Sequence, residues 1–135
     1  MKIPRVACAG VSLALGLLAL SVLAQENPSP AAVKALPLMT KDLPEFPGKE
    51  AVMLTVDIPP GGSSKPHRHN AHVFVYVLEG SYATQVTGGA RVVLHAGETF
   101  YERPTDEHLV SANGSDTAPA KILVFMLTDK AAPAS

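Results

Sequence analysis

Through the second two-thirds of the chain, apolar and polar residues change over in short runs with a period near two. Ala51-Val52-Met53-Leu54-Thr55-Val56-Asp57-Ile58 is an extended run closed by Pro59-Pro60-Gly61-Gly62. Ser81 to Val86, rich in Tyr and Thr, meets the hairpin turn Thr87-Gly88-Gly89-Ala90 before Arg91 to Leu94. Ala96-Gly97 turns into Glu98 to Glu102, Glu107 to Ala112 is short and extended, and Asn113-Gly114-Ser115-Asp116 precedes a last strand from Lys121 to Leu127. Short β-branched and aromatic runs with glycine at the turns, and no helical period, predict an all-β sandwich or barrel. The run Val73 to Leu78 breaks the alternation because it is apolar on both faces. Its second face, Phe74, Tyr76 and Leu78, predicts a partner sheet or a second subunit outside the barrel, and a homodimer is expected.

The N-terminus follows another rule. Lys2 and Arg5 precede an almost wholly apolar stretch, Val6 to Leu23, that ends in Val22-Leu23-Ala24 before the polar Gln25. This is the layout of a secretory signal peptide over residues 1–24, cut after Ala24. It implies a periplasmic or secreted protein with no membrane contact after cleavage. An uncleaved anchor is the competing reading, since a span needs about 20 apolar residues, but the small residues before Gln25 favour cleavage. Residues 25–48, with Pro28, Pro30, Pro37, Pro44 and Pro47, read as a flexible segment with a possible edge strand from Leu36 to Leu43. Residues 49–130 form the single domain, and residues 131–135 fray.

Composition narrows the function classes. The 135 residues carry 11 Lys and Arg against 12 Asp and Glu. Loss of Lys2 and Arg5 with the leader leaves nine against twelve, a net charge of −3. The bases are scattered singly and few aromatics accompany them, which argues against a nucleic-acid footprint. The one cysteine, Cys8, leaves with the leader. The mature chain therefore has no thiol nucleophile and no disulfide, and its core or an oligomer interface must hold it together. No glycine-flanked serine elbow or phosphate-cradling loop is present.

The candidate chemistry lies in Pro60 to Gly80. Three of the five histidines, His67, His69 and His72, fall within six residues there. Residues two apart on an extended chain project to one side, so His67 and His69 offer two imidazoles to one point, while His72 alternates out of phase.

Gly61, His67, His69 and Gly80, followed by Gly97, His108 and Asn113, resemble in type and spacing the two sequence motifs of the cupin superfamily over roughly Glu50 to Asp129. The resemblance implies a small double-stranded β-helix, or jelly-roll, barrel. It also implies one divalent transition metal held inside by the two histidines of the first motif, a glutamate, and the histidine of the second. His67, His69 and His108 are the expected metal ligands, and the glutamate position is occupied by Val73. Three imidazoles without a carboxylate leave the site at about +2, which moves the preference from Mn or Fe toward Zn, Cu or Ni. Glu102 is the candidate replacement, as ligand or as catalytic base, because an inward carboxylate on the strand leading to His108 needs a partner. Its bland alternative is a strand-end acid facing water or paired with Arg103 or Arg68. His72 would need a bulge to turn inward and reads as a surface or interface residue. Tyr82 and Tyr101 read mainly as core. The implied function is a metal-dependent oxidoreductase, dioxygenase-like or isomerase-like, acting on a small organic molecule. The alternative is a non-catalytic module that binds or senses a metal or small ligand. An ionisable group beside the histidines separates the two, favouring catalysis.

Overall fold

The computed structural model describes residues 32–130, so the leader, residues 25–31 of the proposed flexible segment and the tail lie outside the described residues. Nine strands follow one another: β1 Lys34–Asp42, β2 Lys49–Ile58, β3 Ser63–Ser64, β4 Ala71–Glu79, β5 Ser81–Val86, β6 Val92–His95, β7 Thr99–Glu102, β8 His108–Asn113 and β9 Ala120–Asp129. They form two antiparallel sheets, one ordered β1-β2-β9-β4-β7 and the other β3-β8-β5-β6. Among the described residues there is no helix. After the β1–β2 hairpin the chain passes back and forth between the sheets, staying in one only for the β5–β6 hairpin, which is how a jelly-roll closes over a single interior.

The strand with two apolar faces is the centre of the packing. In β4, Ala71, Val73, Val75 and Val77 are buried, while His72, Phe74, Tyr76 and Leu78 are exposed on the far side. The buried set joins Ile58, Tyr82, Ala120, Ile122 and Val124 in one core. Each of its valines and isoleucines contributes about 1.5–3 kcal/mol on burial. The outer face leaves Leu36, Met39, Phe74, Tyr76 and Tyr101 in contact with solvent. There the ring of Phe74 lies 5.1 Å from Tyr101 and 6.1 Å from Phe125.

Two places depart from the simple alternating pattern. The stretch read as an edge strand belongs to β1, which lies at one edge of the larger sheet, is exposed along its length and bulges between Pro37 and Met39. The histidine segment is not a strand. Ser64 pairs with Ser111, the ladder then lapses, and His67 resumes it as a single bridge to His108. Pro66 supplies the reason, because it has no N–H to donate to a ladder.

Asn113 closes the fold beneath the site. Its Nδ2 donates to the carbonyls of Ile58 (3.0 Å), Pro59 (3.1 Å) and Ala118 (2.8 Å), and its Oδ1 accepts from the Ser115 amide at 2.8 Å. One side chain thereby ties the turn after β2 to the turn before β9. Gly80 makes the β4–β5 turn at a φ of +71°, and a Cβ there would collide with the Pro119 carbonyl, so only glycine fits.

Candidate functional site

His67, His69, His108 and Glu102 all line one cavity of about 560 Å³ inside the barrel. Backbone pairing brings the first and third together: the His67 amide donates to the His108 carbonyl at 3.2 Å, and the His108 amide returns the bond at 2.8 Å. Their ring centroids stand 5.1 Å apart. His69, two residues on, sets its ring edge-on to His67, with the two Nε2 atoms 3.1 Å apart.

Hydrogen bonding decides which nitrogen His67 offers. Its Nδ1 lies 2.7 Å from the Lys65 carbonyl oxygen, which can only accept. In the neutral ring Nδ1 therefore carries the proton and Nε2 presents a lone pair to His69. Burial lowers the pKa of His69 below its ordinary value, neighbouring His67 and His108 lower it further, and Glu102 opposes them. His69 is thus held as a neutral imidazole at pH 7.

One strand away from the motif's glutamate position lies the buried carboxylate of Glu102. Val73 and Glu102 are direct cross-strand partners in the β4–β7 pairing. Val73 is 1% exposed and Glu102 is 3% exposed, so both point inward at the same level of the barrel. Glu102 Oε2 lies 3.3 Å from His108 Nδ1, and neither Arg103 nor Arg68 takes the carboxylate; Arg103 pairs with Asp106 instead. His108 Nε2 lies 2.8 Å from Thr84 Oγ1 and 3.4 Å from the Tyr82 hydroxyl, which in turn lies 3.0 Å from Ser111 Oγ. Burial pushes the Tyr82 phenol up to about 12, Glu102 reinforcing it against the hydrogen bonds to Ser111 and Thr84, so the hydroxyl stays protonated.

Among the described residues, no three His, Cys, Asp or Glu side chains stand in a geometry that would hold a metal ion as they are. His108 turns one nitrogen to Thr84 and the other toward Glu102. The donor set nonetheless suits a divalent transition metal in kind, being three imidazoles and a carboxylate. Two observations support the fit. The 3.1 Å between Nε2 of His67 and of His69 matches two nitrogens that each sit about 2.0–2.1 Å from one zinc-like ion at roughly a right angle. His108 Nδ1 makes no hydrogen bond, with the Glu102 carboxylate 3.3 Å away as its polar neighbour, and a cation beside the two would satisfy both.

The remaining candidates fall elsewhere. His72 is exposed and its Nδ1 lies 2.7 Å from the Tyr101 hydroxyl on the outer face, away from the cavity. Tyr82 has a polar role beyond packing. Thr84, Ser111 and Lys65 were not singled out by the sequence pattern; the first orients His108 and the other two line the cavity. Alternation along Tyr82-Ala83-Thr84 was the available signal, since it puts Thr84 on the face of Tyr82.

Residues 54–126 match the family model described as the Cupin domain. No curated protein matches the sequence. Solved structures show the same fold. A protein with a double-stranded β-helix domain from Klebsiella pneumoniae subsp. pneumoniae is 17% identical, over 78% of this chain and 84% of that one, with a TM-score of 0.61. A Cupin 2 conserved barrel domain protein from Salinispora arenicola is 25% identical over 73% and 77% of the two chains, with a TM-score of 0.53. A recombinant oxalate oxidase in complex with glycolate is 27% identical over 73% of this chain and 52% of that one, with a TM-score of 0.57.

Proposed function

The chain belongs to the cupin family, and on that footing we propose that it is an exported, metal-dependent oxidoreductase of the dioxygenase-like type acting on a small organic molecule. His67, His69 and His108 would hold one divalent transition metal. When bound, such an ion would supply Lewis acidity or an electron path to dioxygen. The observation that carries the reading is the buried Glu102 carboxylate beside His108 on the cavity wall. It stands 3.3 Å from His108 without an arginine partner, an ionisable group placed to take a proton from a molecule in the cavity.

The roles of the chain's own residues follow from position. Glu102 accepts a proton from substrate and returns it, and His108 stabilises its charge. Tyr82, protonated at any physiological pH, offers a hydrogen bond from the same wall. The aliphatic side chains around Val73 and Val75 exclude water and so strengthen each of these contacts. The similarity to an oxalate oxidase supports the oxidative branch over the isomerase branch. The orientation of His108, away from a closed ligand shell, favours a second reading, a non-catalytic small-ligand module. Elemental analysis of the purified protein followed by an oxygen-uptake screen tests the first reading. Glu102→Gln should leave folding and metal content intact and reduce turnover by about 10²–10⁴; unchanged turnover would remove Glu102 from the site, and a metal-free, inactive protein would leave the second reading.

The homodimer is part of the same proposal. The outer face exposes Leu36, Met39, Phe74, Tyr76 and Tyr101, and large apolar side chains exposed together on one sheet face mark an interaction surface. Its charges are already compensated at the two ends of the sheet, by Lys121 with Asp57 and Lys49 with Asp129. A neutral face of this kind can meet its own copy about a twofold axis without like-charge repulsion. Sedimentation should give a dimer that Phe74→Glu converts to monomer, and a monomeric wild type would end this part. Export is tested by N-terminal sequencing of the protein from the extracytoplasmic fraction, which should begin at Gln25.

A further inference from the structure

Of the three imidazoles His108 is the most enclosed, and its surroundings leave the ring little freedom. Phe100 stacks with it at a centroid distance of 6.4 Å, and Tyr82 meets it edge-on, also at 6.4 Å. The strand is adapted to this placement. Gln85 stands opposite Val110 but Val86 opposite His108, so β8 carries one extra residue, Leu109, against β5. That bulge lets His108 and Ser111, three positions apart, both face the cavity, where strict alternation would turn one of them out. Packing of this kind fixes the plane of the imidazole but not its sense. A half-turn about the Cβ–Cγ bond keeps the plane and exchanges Nδ1 with Cδ2 and Nε2 with Cε1. Polar contacts decide between the two. In the observed sense Nε2 lies 2.8 Å from Thr84 Oγ1 and 3.4 Å from the Tyr82 hydroxyl, while Nδ1 faces Glu102 Oε2 at 3.3 Å. The reversed ring would set carbon against all three oxygens.

We propose that Thr84 is a positioning residue whose hydroxyl holds Nε2 of His108, so that this histidine presents Nδ1, and not Nε2, to Glu102 and to a bound cation. This deepens the proposed function, since it rests on the reading that the three histidines hold one cation, and it assigns the nitrogen that each would use. His67 is held in the opposite sense, with Nδ1 at the Lys65 carbonyl and Nε2 lying 3.1 Å from Nε2 of His69. The expected set is therefore Nε2 from His67 and His69 and Nδ1 from His108. Thr84, His108 and Glu102 stand in the order hydroxyl, imidazole, carboxylate, as in an acyl-transfer triad. Thr84 is fully buried and does not line the cavity, so its hydroxyl meets no substrate and serves as an anchor. A histidine whose second nitrogen is tied to a fixed partner is oriented before any cation arrives.

The test is nuclear magnetic resonance of the purified protein, labelled with ¹⁵N in its histidines and loaded with ¹¹³Cd as a spectroscopic stand-in for zinc. One-bond cadmium–nitrogen splitting names each ligand atom, and it should appear at Nδ1 of His108 and at Nε2 of His67 and His69. Thr84→Val should weaken cadmium binding about 10–100-fold and remove the Nδ1 splitting at His108. Thr84→Ser, which keeps the hydroxyl, should retain both. A threonine needed only for packing would change stability without changing the ligand atom. Should Thr84→Val fail to fold, the wild-type spectrum decides. Splitting at Nε2 of His108, or at neither of its nitrogens, would overturn the inference and leave a metal-binding protein. Wild-type affinity and an intact Nδ1 splitting in Thr84→Val would overturn the role of Thr84. A protein that takes up neither cadmium nor zinc loses the metal reading and this inference with it.

Discussion

The polar end of the cavity is made of two halves that obey different constraints. Glu102 and His108 sit in regular strands, almost inaccessible at 3% and 2% exposure, with Thr84 fully buried behind them. His67 and His69 sit where the β3–β8 ladder lapses after Pro66, and both are half-buried. In the first half a carboxylate and an imidazole have lost their water, and each is tolerable only because the other is there. In the second half, solvent still solvates the rings and the fold asks little of them. Structure and chemistry are therefore inseparable behind the sheet and separable at the mouth.

The sharpest way to break this contrast is His108→Ala. It strands the Glu102 carboxylate, and urea unfolding should show a loss of about 3–5 kcal/mol; a loss below about 1 kcal/mol would mean that the two halves are alike. Next comes the carboxylate itself. Glu102→Val should cost about 1–3 kcal/mol by leaving His108 without its partner, and adding Val73→Glu, which returns the acid to the facing strand, should recover much of that cost. Strict additivity of the two changes in a double-mutant cycle would show that the positions do not substitute for one another. At the mouth, His67→Ala or His69→Ala should change stability by less than about 1 kcal/mol while zinc per chain, by elemental analysis, falls to less than half. The smallest effect concerns pH. His69 in the folded, metal-free protein has a pKa below the ordinary 6.5, so the unfolded chain binds the extra proton first. Its contribution to stability is complete above about pH 6.5 and is lost as the pH falls toward the lowered value; His69→Gln should flatten the unfolding free energy across that window.

Much of the fold was legible because period two and glycine turns are local signals, and β2, β4, β5 and β9 lie where those signals place them. The imidazole trio was legible from motif spacing, and Glu102 from the cost of an inward acid. What the chain alone did not reveal is register. That Val73 faces Glu102 depends on how β4 and β7 meet, a tertiary fact. Thr84 and Ser111 escaped for a related reason: a strand hydroxyl faces water as readily as a cavity until the barrel is closed. The single-residue bridge at His67 escaped because Pro66 interrupts a ladder whose partner strand is distant in sequence.

The pairing of Val73 with Glu102 sets a carboxylate directly across the ladder from the motif's glutamate position, which bears on how such sites are counted. A functional group can move sideways across a sheet, keeping its depth and its neighbours in space while changing the segment that carries it. A search that reads chemistry only along the chain would score this barrel as having lost an acid. Read across the hydrogen-bonded neighbours, a buried carboxylate stands opposite Val73.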